Sequence, residues 1–290
     1  MFDFKDGLRS LLNQISQGMD PTISSLLTQT PAGKYPDAYR TVTNIATTAV
    51  KPVAMTVLAV VFSLEILHAS QSIDQDGTQG VRTITKLLFK IIIVYMAAMN
   101  ASWLCELITY LIQQIGTGVS RLITLPNTAS ADDKATKLGD ALENSGALGQ
   151  ANLGQQLVAI IMLLIPFLIA RLAGLAVQVL IVARFVELLI LTAFGSLPIA
   201  FLSYDGTKSW GEAYIREYAS CAFSNITLLI GLAVYQPVAN SLFAGNKNLG
   251  SLSLNEVVFT HWMDLVTVSV LMVALVLISQ KASKALFGQA

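Results

Sequence analysis

The apolar positions of this chain fall into runs far longer than a soluble helix needs to bury one face. Residues 45–67 form the first, long enough at ~1.5 Å per residue to cross a hydrocarbon layer of ~30 Å. Residues 87–112 form the second, with Lys90 near its start, Asn100 and Glu106 deeper, and Trp103 and Tyr110 suited to a membrane interface. Residues 157–202 make a third run, about twice the length of one crossing. A hairpin there needs a turn near residue 180, where no Gly, Pro, Asn or Asp occurs, and backbone does not leave a helix easily within lipid. The pattern predicts one long oblique helix from about Pro166 to Phe194, followed by a broken, partly inserted segment marked by Gly195 and Pro198. Residues 221–243, with Pro237 near the end, and residues 262–279 complete the set. The predicted fold class is all-α: a polytopic transmembrane helical protein with five spans, or six if the long run folds back, and an N-terminal amphipathic helix.

That helix is read from Phe4, Leu8, Leu11, Leu12 and Ile15, which share one face, with Asp3, Lys5, Asp6 and Arg9 serving the polar side. Packing on lipid and packing on protein satisfy the pattern equally. The stretch lacks the basic, apolar and small-residue regions of a removable signal peptide. Four regions follow from these patterns. Residues 1–44 are an N-terminal amphipathic or interfacial region and 45–112 hold the first two spans. Residues 113–156, rich in Gly, Ala, Ser, Asn and Asp, are a flexible extracytoplasmic loop. Residues 157–290 are a C-terminal transmembrane region with the long polar helix, a cytoplasmic loop at 203–220 and a basic tail. With five spans and the N-terminus outside, Arg82, Lys86, Lys208, Arg216, Lys281 and Lys284 fall on the inside, against Lys247 outside. Lys34, Arg40 and Lys51 beside the first span pull the other way and suit six spans.

Composition removes the competing classes. Hydrophobic residues are 54% of the chain and charged residues 12%, about half the share of an ordinary soluble domain, with a mean hydropathy of +0.62. Neither a soluble globule nor a disordered chain fits these numbers. Eighteen Lys and Arg balance eighteen Asp and Glu, so no global positive field exists to hold nucleic acid. Cys105 and Cys221 each sit in an apolar stretch and read as small hydrophobes without a metal-site spacing.

No motif for chemistry emerges. There is no Walker-type phosphate loop, no HExxH and no GxSxG, and His68 and His261 are isolated at span edges. Glu65, Glu106 and Glu187 lie on three different segments. The chain is not expected to be an enzyme, and no cofactor is expected. Ionisable groups at bilayer depth carry more information, because each costs ~2.5–3.5 kcal/mol on insertion scales and normally faces protein or water. Arg184 and Glu187, three apart, can pair on one face of the long helix, while Arg171 and Gln178 mark another stripe. These four, with Pro198 at the break, are the candidate channel or packing residues. A hydrated path and a structural ion pair inside a bundle both fit them.

The segment RFVELLILTAFGSLPIA, residues 184–200, combines Arg184, Glu187, an apolar run and Pro198; Trp210, Gly211, Tyr214 and Arg216 follow, and SQKASKALF at 279–287 closes the chain. In these motifs and in the order of its spans the chain resembles the TrbL-type polytopic membrane subunit of type IV secretion systems, as carried by conjugative elements of Gram-positive bacteria. The resemblance covers nearly the whole chain in layout, and residues 184–235 most closely. It implies a channel or assembly-platform subunit for conjugative DNA transfer in the bacterial cytoplasmic (inner) membrane. Its partners would be separate ATPases, a coupling protein, further copies of itself, the bilayer, and single-stranded DNA or nucleoprotein in transit. Trp210, Tyr214, Arg216, Lys281 and Lys284 are the corresponding candidate contacts for cytoplasmic partners. A small-molecule transporter or permease, suggested by Pro166, Pro198 and Pro237 interrupting spans, and a passive membrane scaffold remain the alternatives.

Overall fold

The computed structural model describes residues 4–17, 26–72, 77–122, 153–244 and 262–288, and every regular element among them is helical. In chain order these are α1 (Phe4–Gln17), α2 (Pro31–Lys34), α3 (Pro36–Ile45), a π-helical turn (Ala46–Val50), α4 (Lys51–Ser72), α5 (Gly77–Met99), α6 (Ala101–Leu122), α7 (Leu153–Phe194), α8 (Ser196–Ala200), a 3-10 turn (Phe201–Ser203), α9 (Lys208–Ala244) and α10 (Trp262–Leu286). Among the described residues, four stretches are long and apolar enough to cross a membrane: Pro36–His68, Gln156–Phe194, Lys208–Tyr235 and Trp262–Leu286. The pair Ile84–Met99 and Ala101–Leu122 passes the same test together and makes a fifth if counted as one. The protein is therefore an all-α, polytopic membrane protein.

Local chemistry explains each irregularity. Pro52 has no N–H to donate, and the π-helical turn just before it, where the Lys51 N–H reaches back to the Ala46 carbonyl, absorbs the interruption without ending the helix. The second expected span, 87–112, is not straight: α5 and α6 meet at 77° around Asn100, whose amide Nδ2 donates to the Met96 carbonyl at 2.9 Å. A side chain bonding its own backbone in this way bends a helix. The helix also continues past Gln113 to Leu122, and the long helix begins at Leu153 rather than near Pro166. Most of the expected loop, residues 123–152, lies outside the described residues, as does His261. Through residue 180 α7 is continuous, so the fold-back that would make six spans does not occur. Likewise the expected loop 203–220 is only a turn at residues 204–207, because the run from Lys208 onward is already α9.

The chain divides into two compact units whose segments alternate along the sequence. The first holds Met1–Thr28, Gly116–Val182 and Asn225–Ala282. Its core joins Leu8 and Leu12 of α1 to Ala159, Leu163 and Ala173 of α7, Tyr235 of α9, and Leu265, Val268 and Met272 of α10. Leu8 and Leu12 are fully buried, so this face of α1 packs on protein. Hydroxyls tie the helices together: Ser269 donates to the Pro166 carbonyl at 3.1 Å and Thr227 to the Ser279 carbonyl at 3.0 Å.

The second unit holds Gln29–Ile115, Ala183–Ser224 and Ser283–Ala290. Ile199 of α8 packs on Ala98 and Ala101, the last and first turns of α5 and α6, so the bend at Asn100 forms the seat for the broken helix. On the other side Cys105 of α6, Leu188 of α7, and Tyr218, Cys221 and Ala222 of α9 form a cluster of small and aromatic side chains.

Candidate functional site

The region singled out by the sequence, from Arg184 to Arg216, is a helical corner in the second unit. At the end of α7 the Gly195 N–H is directed at the Thr192 carbonyl over a long 3.4 Å, and the Leu191 carbonyl accepts from the Tyr214 hydroxyl of α9 at 2.8 Å. A Cβ at position 195 would stand 2.7 Å from that hydroxyl, so glycine is what allows the phenol to close the helix end. A second close approach lies at Gly211, where a Cβ would meet the Pro198 carbonyl at 2.7 Å and the Leu202 side chain at 2.6 Å. Thr207 fastens the turn between them, accepting from the Trp210 N–H at 3.0 Å while its hydroxyl donates to the Phe201 carbonyl at 2.9 Å.

Charge braces the same corner. Lys90 Nζ of α5 lies 3.0 Å from Glu65 of α4 and 2.9 Å from Asp205 of the turn. Glu65 is buried, and leaving it without a cation would be costly, whereas Asp205 is mostly exposed. The Lys90 ammonium, by hydrogen bond and by charge, holds the Asp205 carboxyl below its usual range. On the exposed face of α9, Glu212 lies 3.5 Å from Lys208 and 3.9 Å from Arg216, spacings whose screened pairs contribute little.

The residues selected from the sequence take distinct places. Arg184 is buried, its Nη1 donating to the Ser224 carbonyl of α9 at 2.8 Å, while Glu187 is exposed one turn on. Arg171 is exposed, its guanidinium 5.6 Å from the Phe167 ring, and Gln178 is half-buried. Pro198 lies in α8 with its carbonyl against Gly211. Trp210 is exposed, with one edge on Phe201 at 5.3 Å, and Arg216, Lys281 and Lys284 are exposed as well. Tyr214 is half-buried and its hydroxyl is committed to Leu191, so it contributes first to the corner itself.

Three relationships were not read from the sequence: the Lys90 clamp, the hydroxyl chain linking Thr109, Tyr218 and Thr192, and the bond from Trp262 to α7. The first did leave a signal, since Glu65 and Lys90 are opposite charges inside consecutive apolar runs. The others depend on packing that one sequence does not display. Among the described residues no three His, Cys, Asp or Glu side chains converge as a metal site.

No curated protein and no solved structure matches the chain. The family described as TrbL/VirB6 plasmid conjugal transfer protein does match, over residues 66–279, which takes in the end of α4, the bent pair, the whole corner and most of α10. That is well over half of the 290 residues, and it contains every side chain of the Lys90 clamp except Glu65. With its helical, multi-span architecture, the chain belongs to the TrbL/VirB6 plasmid conjugal transfer family, whose members are membrane components of conjugation systems.

Proposed function

We propose that the chain is a channel or assembly-platform subunit of a type IV secretion machine for conjugative DNA transfer, seated in the bacterial cytoplasmic membrane. The observation that carries this beyond family membership is the exposure of charge on α7. The candidate span Gln156–Phe194 is about twice as long as the ~20 residues that a bilayer core needs. Any twenty consecutive residues of it include Arg171 or Glu187, and both are exposed on the chain taken alone. The Phe167 ring offers Arg171 only about 0.5–1 kcal/mol, against ~2.5–3.5 kcal/mol for a charge at bilayer depth. A neighbouring subunit or a hydrated path on that side of α7 meets the remaining cost. Both belong to a subunit working inside a larger transfer complex.

The exposed Trp210, Lys208 and Arg216 on the first turns of α9, with Lys281 and Lys284, offer aromatic and basic groups to ATPases and a coupling protein on the cytoplasmic side. An in-frame deletion in the native mobile element, with and without a complementing copy, tests the reading. Transfer should fall to background and return on complementation; unchanged transfer would count decisively against it.

A further inference from the structure

A cavity of about 110 Å³ opens in the second unit between α2, α3, α6, α7 and the first half of α9. Its lining is unusual for a chain this apolar. Among the described residues that line it, Glu106 is the only charged one and none is Lys, Arg or His. The Tyr39 phenol lines the same cavity. The hydroxyls of Thr109, one turn on from Glu106, and of Thr192 and Tyr218 line it as well.

Counting protons shows what this wall lacks. Thr109 Oγ1 donates to the Cys105 carbonyl at 2.9 Å and Thr192 Oγ1 to the Leu188 carbonyl at 2.7 Å. Tyr218 Oη stands 2.9 Å from Thr109 Oγ1 and 3.3 Å from Thr192 Oγ1. Each hydroxyl has one proton, so three protons must serve four short contacts. At least one pair of oxygens faces each other with lone pairs only, in the same cavity as the Glu106 carboxylate. The wall is therefore rich in acceptors and carries net negative charge. Such a wall repels anions and favours a cation or a strong donor.

We propose that this cavity binds a small monovalent cation, an alkali-metal ion or a primary ammonium group, on the oxygens of Glu106, Thr109, Thr192 and Tyr218. One carboxylate matches one positive charge, whereas divalent cations draw several carboxylates or many oxygens in a closed shell. At ~30 Å³ per water, the volume admits a dehydrated ion with two or three waters, or a methylammonium-sized group. The cation supplies the positive charge that the hydroxyl chain and Glu106 lack, and it links α6, α7 and α9 at the level of Cys105 and Leu188. Titratable groups facing it are Tyr39, Tyr110 and Tyr218 on the wall, with the Cys105 thiol behind the hydroxyls.

The test is thermal unfolding of the full-length protein in lipid nanodiscs, titrated with KCl, NaCl or methylammonium chloride, while N-methyl-D-glucamine chloride keeps ionic strength constant. Tm should rise to a plateau with at least one of the three small cations and not with N-methyl-D-glucamine. Response to K⁺ or Na⁺ alone assigns an alkali-metal site; response to methylammonium alone assigns an amine site. Glu106→Gln should abolish the plateau, and Thr192→Val should move its midpoint up about tenfold, the ~1.4 kcal/mol scale of one oxygen contact. Glu212→Gln on the exposed face should leave the curve as it is. Identical curves for all four salts, a response to pH alone, or an unmoved midpoint in Glu106→Gln would overturn the site. Should Glu106→Gln fail to accumulate, an unmoved midpoint in both Thr192→Val and Tyr218→Phe would overturn it instead.

Discussion

The indole Nε1 of Trp262 donates to the backbone carbonyl of Met162 at 3.0 Å, and Met162 is the residue four positions before Pro166. In an unbroken helix the N–H of residue 166 would occupy that carbonyl. Proline has none, so α7 carries an open acceptor in its interior, and the first residue of α10 fills it. A proline inside a membrane helix is tolerated where a neighbouring helix satisfies the freed group. Here the neighbour is identified by a single hydrogen bond.

Trp262→Phe should therefore destabilise the first unit by about 1–2 kcal/mol, the range of a lost interhelical bond plus an unsatisfied carbonyl. Pro166→Ala restores the helical N–H and should cost little by itself. Combined with Trp262→Phe it should recover most of the loss, because Met162 then has its own helical donor. Thermal unfolding of the four proteins of this cycle in one detergent measures the coupling. Strict additivity would show that the indole packs there without serving the carbonyl.

Gly211→Ala places a methyl against the Pro198 carbonyl and the Leu202 side chain, and backbone on one side leaves little room to relax. A loss of about 1–3 kcal/mol is expected, the usual range for overpacking. Gly174→Ala on α7 is the matched control, since nothing stands within 4 Å of a Cβ there. It should be neutral or stabilise by up to ~1 kcal/mol through reduced freedom of the unfolded chain. If both substitutions behave alike in thermal unfolding, the close contact of α9 with α8 is not what holds the corner.

Much of this architecture is legible in the sequence because the bilayer reduces the choices. Apolar runs of spanning length mark the segments, and the absence of turn formers near residue 180 is enough to anticipate an unbroken α7. The break at Gly195 and Pro198 is equally visible. What stays hidden has a common cause. The 77° bend depends on one amide, Asn100, bonding one carbonyl, and asparagine inside an apolar run equally suits a straight helix. Pro166 read as a helix start because the donor that lets it sit inside α7 is almost a hundred residues away at Trp262. Among the candidate site residues, Arg171 and Arg184 look equivalent as letters; only packing makes one exposed and the other buried on Ser224.

The turn between α8 and α9 should weaken in acid. Lys90 holds the Asp205 carboxyl below its ordinary value, so the ionised form is favoured in the folded protein. A depressed folded value means that the stabilisation is present above the ordinary carboxylate pKa of ~3.9 and is lost as pH falls through the lower, folded value. Asp205 is largely exposed, and the effect should be small. Asp205→Asn should lower Tm slightly at neutral pH and flatten the acid limb of the Tm profile. An acid limb identical to wild type would assign that loss to other carboxylates.

Arg171 and Arg184 should fail for different reasons. Arg184 is buried and its Nη1 bonds the Ser224 carbonyl, so Arg184→Ala removes a charge-assisted bond worth about 1.5–3 kcal/mol and leaves a void between α7 and α9. The protein should accumulate less in membranes, and transfer should fall in proportion. Arg171 is exposed and its contact with Phe167 is weak, so Arg171→Ala should leave membrane level and Tm close to wild type. If a neighbouring subunit or a hydrated path meets that guanidinium, transfer should nevertheless drop by at least about tenfold, the equivalent of ~1.4 kcal/mol in one coupling. Mating frequency divided by membrane protein level separates the cases, with Lys134→Ala as the control. Wild-type transfer per molecule in Arg171→Ala would remove the observation on which the channel or platform reading of α7 stands.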